Sequence, residues 1–173
     1  MHYPTLRLLP RKEESILRLH PWVFSGAIAS YSEPVTDGSL VTVLDSKGKP
    51  LGTGHFGGGS IAVRLLSFSG EEVIDKEFYK ARLQAALGLR LDCGLIRPEG
   101  SCERPNNTYR LVHGEGDGLP GLVIDIYDRT AVLQAHSMGM HEARMMIAEA
   151  LQEVYKEAGD PVAPLAGIYY KSE

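Results

Sequence analysis

The chain has 173 residues, 43% of them hydrophobic, which suits one large domain or two small ones with a packed core. A formal net charge of −4 excludes a protein that is basic throughout, and no apolar run approaches the length of a membrane span. The charge is uneven: residues 1–70 hold seven Lys and Arg against five Asp and Glu, a net of +2, while residues 71–173 hold eleven against seventeen, a net of −6, so a polyanion would dock on the first part.

Thr5 to Leu9 alternates apolar and polar positions and predicts a first strand that Pro10 ends. Arg11 to Leu19 predicts a short helix, which Pro21 forbids from continuing through His20. Trp22, the single tryptophan, is expected to plug a small core together with Phe24. Leu40 to Leu44 and Leu51 to Phe56 predict a hairpin across the turn at 45–49, and Ile61 to Leu66 predicts another strand after Gly57-Gly58-Gly59. Residues 1–72 therefore read as a small, mostly β barrel-like domain.

Residues 73–173 read as a second, α+β domain. Asp75 is a good N-cap for a helix from Lys76 to about Leu91, with Tyr79, Leu83, Ala86, Leu87 and Leu91 on one side. Residues 93–108 read as a loop. It carries both cysteines, Cys93 and Cys102, without Cys-x-x-Cys or paired His, so they are expected to be free thiols of a reducing compartment. Tyr109 to His113 predicts a strand, and Leu122 to Tyr127 with Ala131 to His136 a hairpin. Met140 to Ala158 predicts a single amphipathic helix that stops at Gly159, and Ile168 to Tyr170 a last strand. The order strand, strand, helix, strand leaves that last strand with an open edge, where a further strand or a second copy of the chain would pair. The N-terminus has no apolar signal core, so a cytoplasmic protein is expected.

The segment Gly114 to Gly121 packs four glycines and a proline into eight residues before running into a strand. Gly114, Gly116, Gly118, Pro120 and Gly121 are expected to form a structural turn, with positive φ at Gly118 or Gly121. Two Gly-x-Gly-x-x-Gly matches occur, at Gly52/Gly54/Gly57 and Gly116/Gly118/Gly121. A dinucleotide or S-adenosylmethionine site needs such a loop to open a helix. Both matches lead into strand-like sequence, so tight turns are expected and no cofactor. Glu115, Asp117 and Asp125 are close in sequence, but three carboxylates on a turn do not make a hard-cation site, and no metal is expected. No catalytic constellation stands out.

The cations of the first domain, Arg7, Arg11, Lys12, Arg18, Lys47, Lys49 and Arg64, lie among Trp22, Phe24, His55 and Phe56. That mix fits a phosphate-tracking surface with a few stacking groups. With His20 added, those seven are the candidate RNA-binding residues.

Leu17-Arg18-Leu19-His20-Pro21-Trp22-Val23-Phe24-Ser25-Gly26-Ala27-Ile28 resembles the opening signature of the PUA domain in bacterial large-subunit rRNA 5-methylcytosine methyltransferases. Tyr109 to Asp125 resembles the signature of that family's central strand-strand-helix-strand-strand domain, and Leu133 to Ser137 and Ile168 to Glu173 fit it too. The resemblance implies a PUA-like small β-barrel followed by an incomplete α+β domain, with rRNA as partner. It also implies a third, Rossmann-like module of about 150 residues that binds S-adenosylmethionine and carries the catalytic cysteine. The present sequence has no strand–glycine loop–helix and no Asp-Pro-Pro, so it is expected to be the front portion of such an enzyme, with S-adenosylmethionine serving the full-length parent. The competing reading is a stand-alone PUA-type adaptor without enzymatic activity.

Overall fold

The computed structural model describes residues 3–97 and 106–171, so Cys102 and half of the predicted loop lie outside the described residues. The chain divides into two compact units, Met1–Val73 with Ser137–Glu142, and Ile74–His136 with Ala143–Glu173.

The first unit contains β1 (Thr5–Leu8), α1 (Glu14–Leu17), β2 (Trp22–Phe24), a 3-10 turn (Ser25–Ala27), β3 (Ile28–Tyr31), β4 (Leu40–Leu44), β5 (Pro50–Phe56) and β6 (Ile61–Ser67). The strands form one six-stranded sheet in the order β2-β6-β5-β4-β1-β3. Neighbours are antiparallel except β1 and β4. The two edge strands, β2 and β3, are consecutive in the chain and joined by the 3-10 turn alone, so the sheet must curl. Ser25 N–H donates to Ser60 O and Leu9 N–H to Ala27 O, which ties the turn to both sides. Alternation along the strands sends Leu6, Leu8, Val23, Val41, Val43, Val63 and Leu65 into the core.

Two expectations fail here. The helix predicted from Arg11 to Leu19 is only Glu14–Leu17. Arg11 and Leu19 have φ of 63° and 61°, a left-handed conformation that no right-handed helix contains. Trp22 and Phe24 do not plug the core. They lie on a strand whose middle residue, Val23, faces inward, so period 2 turns both rings to the other face, leaving Phe24 49% exposed. The edge strand β3 was not foreseen, because three of its four residues are exposed and carry no apolar alternation.

The second unit contains α2 (Lys76–Asp92), β7 (Thr108–His113), a 3-10 turn (Gly114–Asp117), β8 (Leu122–Tyr127), β9 (Thr130–Ala135), α4 (Arg144–Ala158) and β10 (Gly167–Lys171). Asp75 caps α2 by accepting the Phe78 N–H at 3.0 Å. The sheet order is β10-β9-β8-β7, antiparallel but for β10, which runs parallel to β9 after the α4 crossover. Ile147, Ala150, Leu151 and Val154 form the buried stripe of α4, which packs against α2, and Gly159 ends it at φ 64°. Among the described residues β10 pairs with β9 alone, so its other edge is open, as expected.

The helix expected to run unbroken from Met140 to Ala158 is interrupted at Ala143. Residues before the break form a separate α3 (Met138–Glu142), which belongs to the first unit. Its Gly139 presses on His55 of β5 so closely that a Cβ there would sit 2.2 Å from the imidazole Cγ.

Candidate nucleic-acid interface

The cations of the first unit fall into three places. On β1, Arg7 points outward between buried Leu6 and Leu8, and its Nη1 donates to Ser46 O at 3.4 Å. The turn beneath it is organised by Asp45, whose carboxylate accepts the N–H groups of Lys47 and Lys49, both at 2.8 Å. The Lys49 N–H is the main reason the Asp45 carboxyl lies below its ordinary pKa. The backbone is thus fixed, while the Lys47 and Lys49 side chains stay exposed beside Arg7. Arg11, Lys12 and Arg18 surround α1 and are exposed. Arg18 approaches Glu14 at 4.0 Å with both side chains largely in water, a pair that contributes little.

His20 and Arg64 belong to the third place, around β2. The His20 Nδ1 accepts the Trp22 N–H at 3.2 Å, and the two rings meet edge to face, 5.6 Å apart. Trp22 meets Phe24 in the same way at 6.4 Å and lies directly opposite Arg64 on β6. The structure therefore groups Arg7 with Lys47 and Lys49, and His20 with Arg64. Two groups expected to stack are unavailable. His55 is 4% exposed, its imidazole Nδ1 has no partner among the described residues, and burial pushes its pKa down to about 4. Phe56 packs against the core and the edge of Tyr31.

Both glycine motifs have structural causes. A Cβ on Gly52 would sit 2.6 Å from Ser67 O, and one on Gly54 2.2 Å from Arg64 O, so β5 and β6 approach too closely there for a side chain. In the second motif Gly118 and Gly121, like Gly114 before them, have positive φ of 70°, 86° and 53°. The first motif lies in β5 and the second opens β8; neither opens a helix. The described residues do not fit S-adenosylmethionine, and no chemical step is assigned through it.

The bend is held by a buried ion pair that the sequence did not announce. The Arg90 guanidinium grips the Asp117 carboxylate in a two-pronged contact, Nη1 to Oδ1 and Nη2 to Oδ2, the latter at 2.8 Å. The Arg90 Nε also donates to Arg110 O at 3.0 Å, and Asp117 accepts the His113 N–H at 2.6 Å. The available signal was spacing: position 90 continues the buried face of Leu83 and Leu87. Asp125 is likewise held, by Arg110 Nε at 2.8 Å, and this hydrogen bond raises the Arg110 pKa. Two of the three clustered carboxylates are thus bound to arginines. Among the described residues no three His, Cys, Asp or Glu converge on a metal position.

Residues 6–68 match the family described as PUA-like domain. The chain is 36% identical over 156 residues to the ribosomal RNA large subunit methyltransferase I of Klebsiella pneumoniae, covering 90% of this chain and 37% of that protein. To the same enzyme of Yersinia pseudotuberculosis it is 40% identical over 156 residues, 88% of this chain and 38% of that one. Among solved structures, a candidate SAM-dependent methyltransferase from Streptococcus mutans superposes with a TM-score of 0.74 at 19% identity, over 99% of this chain and 40% of that one. A second, of a candidate methyltransferase complexed with SAH, gives 0.73 at the same identity and shows the same fold. The chain spans under two-fifths of the length of these curated relatives. It carries a PUA-like domain and, along about nine-tenths of its own length, is similar to rRNA large subunit methyltransferases.

Proposed function

We propose that this chain is the RNA-docking portion of a larger, cytoplasmic, SAM-dependent rRNA methyltransferase that modifies C5 of cytosine. The observation that carries the reading is the state of the first unit's cations. Of seven, only Arg18 has a carboxylate within 4.0 Å among the described residues, and the rest of the set faces outward on a PUA-like domain. Cations without internal partners are the ones that exchange counterions for phosphate. Methyl transfer itself is assigned to parts of the protein beyond the stretch described, in keeping with the share of the relatives that the chain spans. By itself the chain is expected to bind no S-adenosylmethionine at micromolar concentration in calorimetry.

The test is fluorescence anisotropy with a fragment of large-subunit rRNA across a salt series. Affinity should fall by about 0.7 log unit per log unit of salt for each phosphate neutralised on single strands, and three or four contacts are expected. Affinity indifferent to salt would contradict the proposal.

A further inference from the structure

The sheet of the second unit has its helices on one face. Alternation puts Leu122, Ile124 and Ile126 of β8 on the buried side and Val123, Asp125 and Tyr127 on the other. The hydroxyl of Tyr109, the cross-strand partner of Ile126, meets that of Tyr155 on α4 at 2.7 Å, so α4, with α2 packed on it, covers the buried side. The register carries the other side across all four strands: Arg110, Asp125, Val132 and Tyr169 form one row, and Tyr127 and Lys171 stand in the rows on either side of it. Tyr127 is 52% and Tyr169 62% exposed. The strand spacing sets these two rings about 12 Å apart, too far to share one flat ligand.

The unit as a whole is acidic, with eleven Lys and Arg against fourteen Asp and Glu, a net of −3. None of that excess lies on the sheet. In the four strands Asp125 is the single acid. The Arg110 guanidinium covers it from Nε and Nη2, at 2.8 and 3.0 Å, leaving the aspartate side chain 15% exposed and the arginine 44%. Lys171 is exposed and brings the face to a net of +1. This side of an acidic unit therefore admits a polyanion. A protein partner would draw its energy from a contiguous apolar centre, and here the centre holds an ion pair and two small, half-buried valines, with the large rings apart from each other. A paired RNA helix keeps its base faces stacked inside, whereas unpaired bases expose the faces that aromatic rings on a sheet bind.

We infer that the open face of this sheet is a second RNA contact, on which Tyr127 and Tyr169 each stack an unpaired base. It takes a loop, bulge or strand end rather than a continuous duplex. The inference rests on the RNA-docking reading and adds where the bases go and which form of RNA is taken. Its energy comes from rings, where that of the first unit comes from cations.

The whole chain is titrated by fluorescence anisotropy into an unstructured 12-nucleotide RNA and into a blunt duplex of the same length, at several salt concentrations. Tyr169→Ala should weaken single-strand binding about tenfold, within the range for one stacked base, and leave duplex binding within twofold. Tyr127→Ala should do the same, and Phe at either position should keep the wild-type affinity. Neither alanine variant should change the log–log salt slope, because a ring neutralises no phosphate. Tyr169→Leu, which keeps apolar cover on the strand and removes the flat face, repeats the test should the alanine variants lower the melting temperature. The inference is overturned if these variants bind the single strand like the wild type, or if they weaken duplex binding equally. Salt-dependent binding would then survive, leaving the docking proposal intact and the face to a protein partner. Binding that these variants weaken but salt does not would overturn the docking by cations and leave the sheet as the RNA contact. Failure to bind either RNA would overturn both.

Discussion

The two units use the same charged residue types in opposite ways. In the second, four of the arginines and lysines are engaged with the unit's own carboxylates: Arg90 with Asp117, Arg110 with Asp125, Lys76 with Glu153, and Lys80 with both Glu153 and Glu157. In the first, a single exposed pair among the described residues, Arg18 with Glu14, stands among seven cations. The difference is one of burial and partners rather than composition. A charge buried in the fold must be paired, whereas an outward cation without a carboxylate keeps its capacity for an external anion. Net charge alone hides this contrast: the first unit holds seven Lys and Arg against eight Asp and Glu, a net of −1, and the second eleven against fourteen, a net of −3.

The comparison breaks most visibly at Asp117. Replacing it by Ala leaves the Arg90 guanidinium buried without a counter-charge and orphans the His113 N–H, so unfolding free energy should fall by about 3–5 kcal/mol. Urea denaturation measures it, and a loss below 1 kcal/mol would show the pair to be incidental.

The buried histidine of the first unit is instead neutral, with its Nδ1 unpartnered among the described residues. The His55 pKa is about 4 in the fold, below the ordinary 6.5, so the unfolded chain binds the proton more tightly between those values. Its contribution is complete above pH 6.5 and is lost as pH falls toward 4, by about 3 kcal/mol at the acid end. The wild type should lose that much more stability than His55→Gln between pH 7 and pH 4. Equal losses would mean that His55 is not held neutral by burial.

Smaller effects separate the two sorts of left-handed backbone. Gly118→Ala, in the bend, should cost about 1 kcal/mol from φ alone, because the nearest atoms of Arg82 stand 3.8 Å from the new Cβ. Leu19→Gly should change stability in the opposite direction by somewhat less, since it relieves the same strain and removes a side chain that is mostly in water. Thermal melts of both variants decide it. A destabilised Leu19→Gly chain would mean that Leu19 packs in a way its exposure does not reveal.

Much of this architecture was legible because alternation and punctuation are local. The strands around Leu6, Val41, Leu51 and Val63, the Asp75 cap and the stops at Gly118, Gly121 and Gly159 follow from spacing and residue type. What escaped depends on partners distant in sequence. Trp22 looks like a core residue until Val23 is found to face inward, and the bend looks self-sufficient until Arg90, 27 residues away, is found holding Asp117. The break at Ala143 is invisible in a helical stripe that runs straight through it. Of the stacking groups, Phe24 is exposed and Trp22 half-buried, while His55 and Phe56 alternate on a strand with one face in the core and the other under Gly139. The cations of the first unit can be listed from the sequence, but their grouping around the Asp45 turn and β2 requires the register.

The central claim is that the unpaired cations of the first unit, not the paired ones of the second, meet RNA. It is tested most directly by measuring the salt dependence of rRNA-fragment binding for the wild type, for Arg11→Ala with Lys12→Ala, and for Lys76→Ala with Lys80→Ala. The first pair should weaken binding and flatten the log–log slope by about 1.4, near 0.7 for each lost phosphate contact, while the second pair leaves slope and affinity unchanged. A slope flattened by the second pair and untouched by the first would contradict the account.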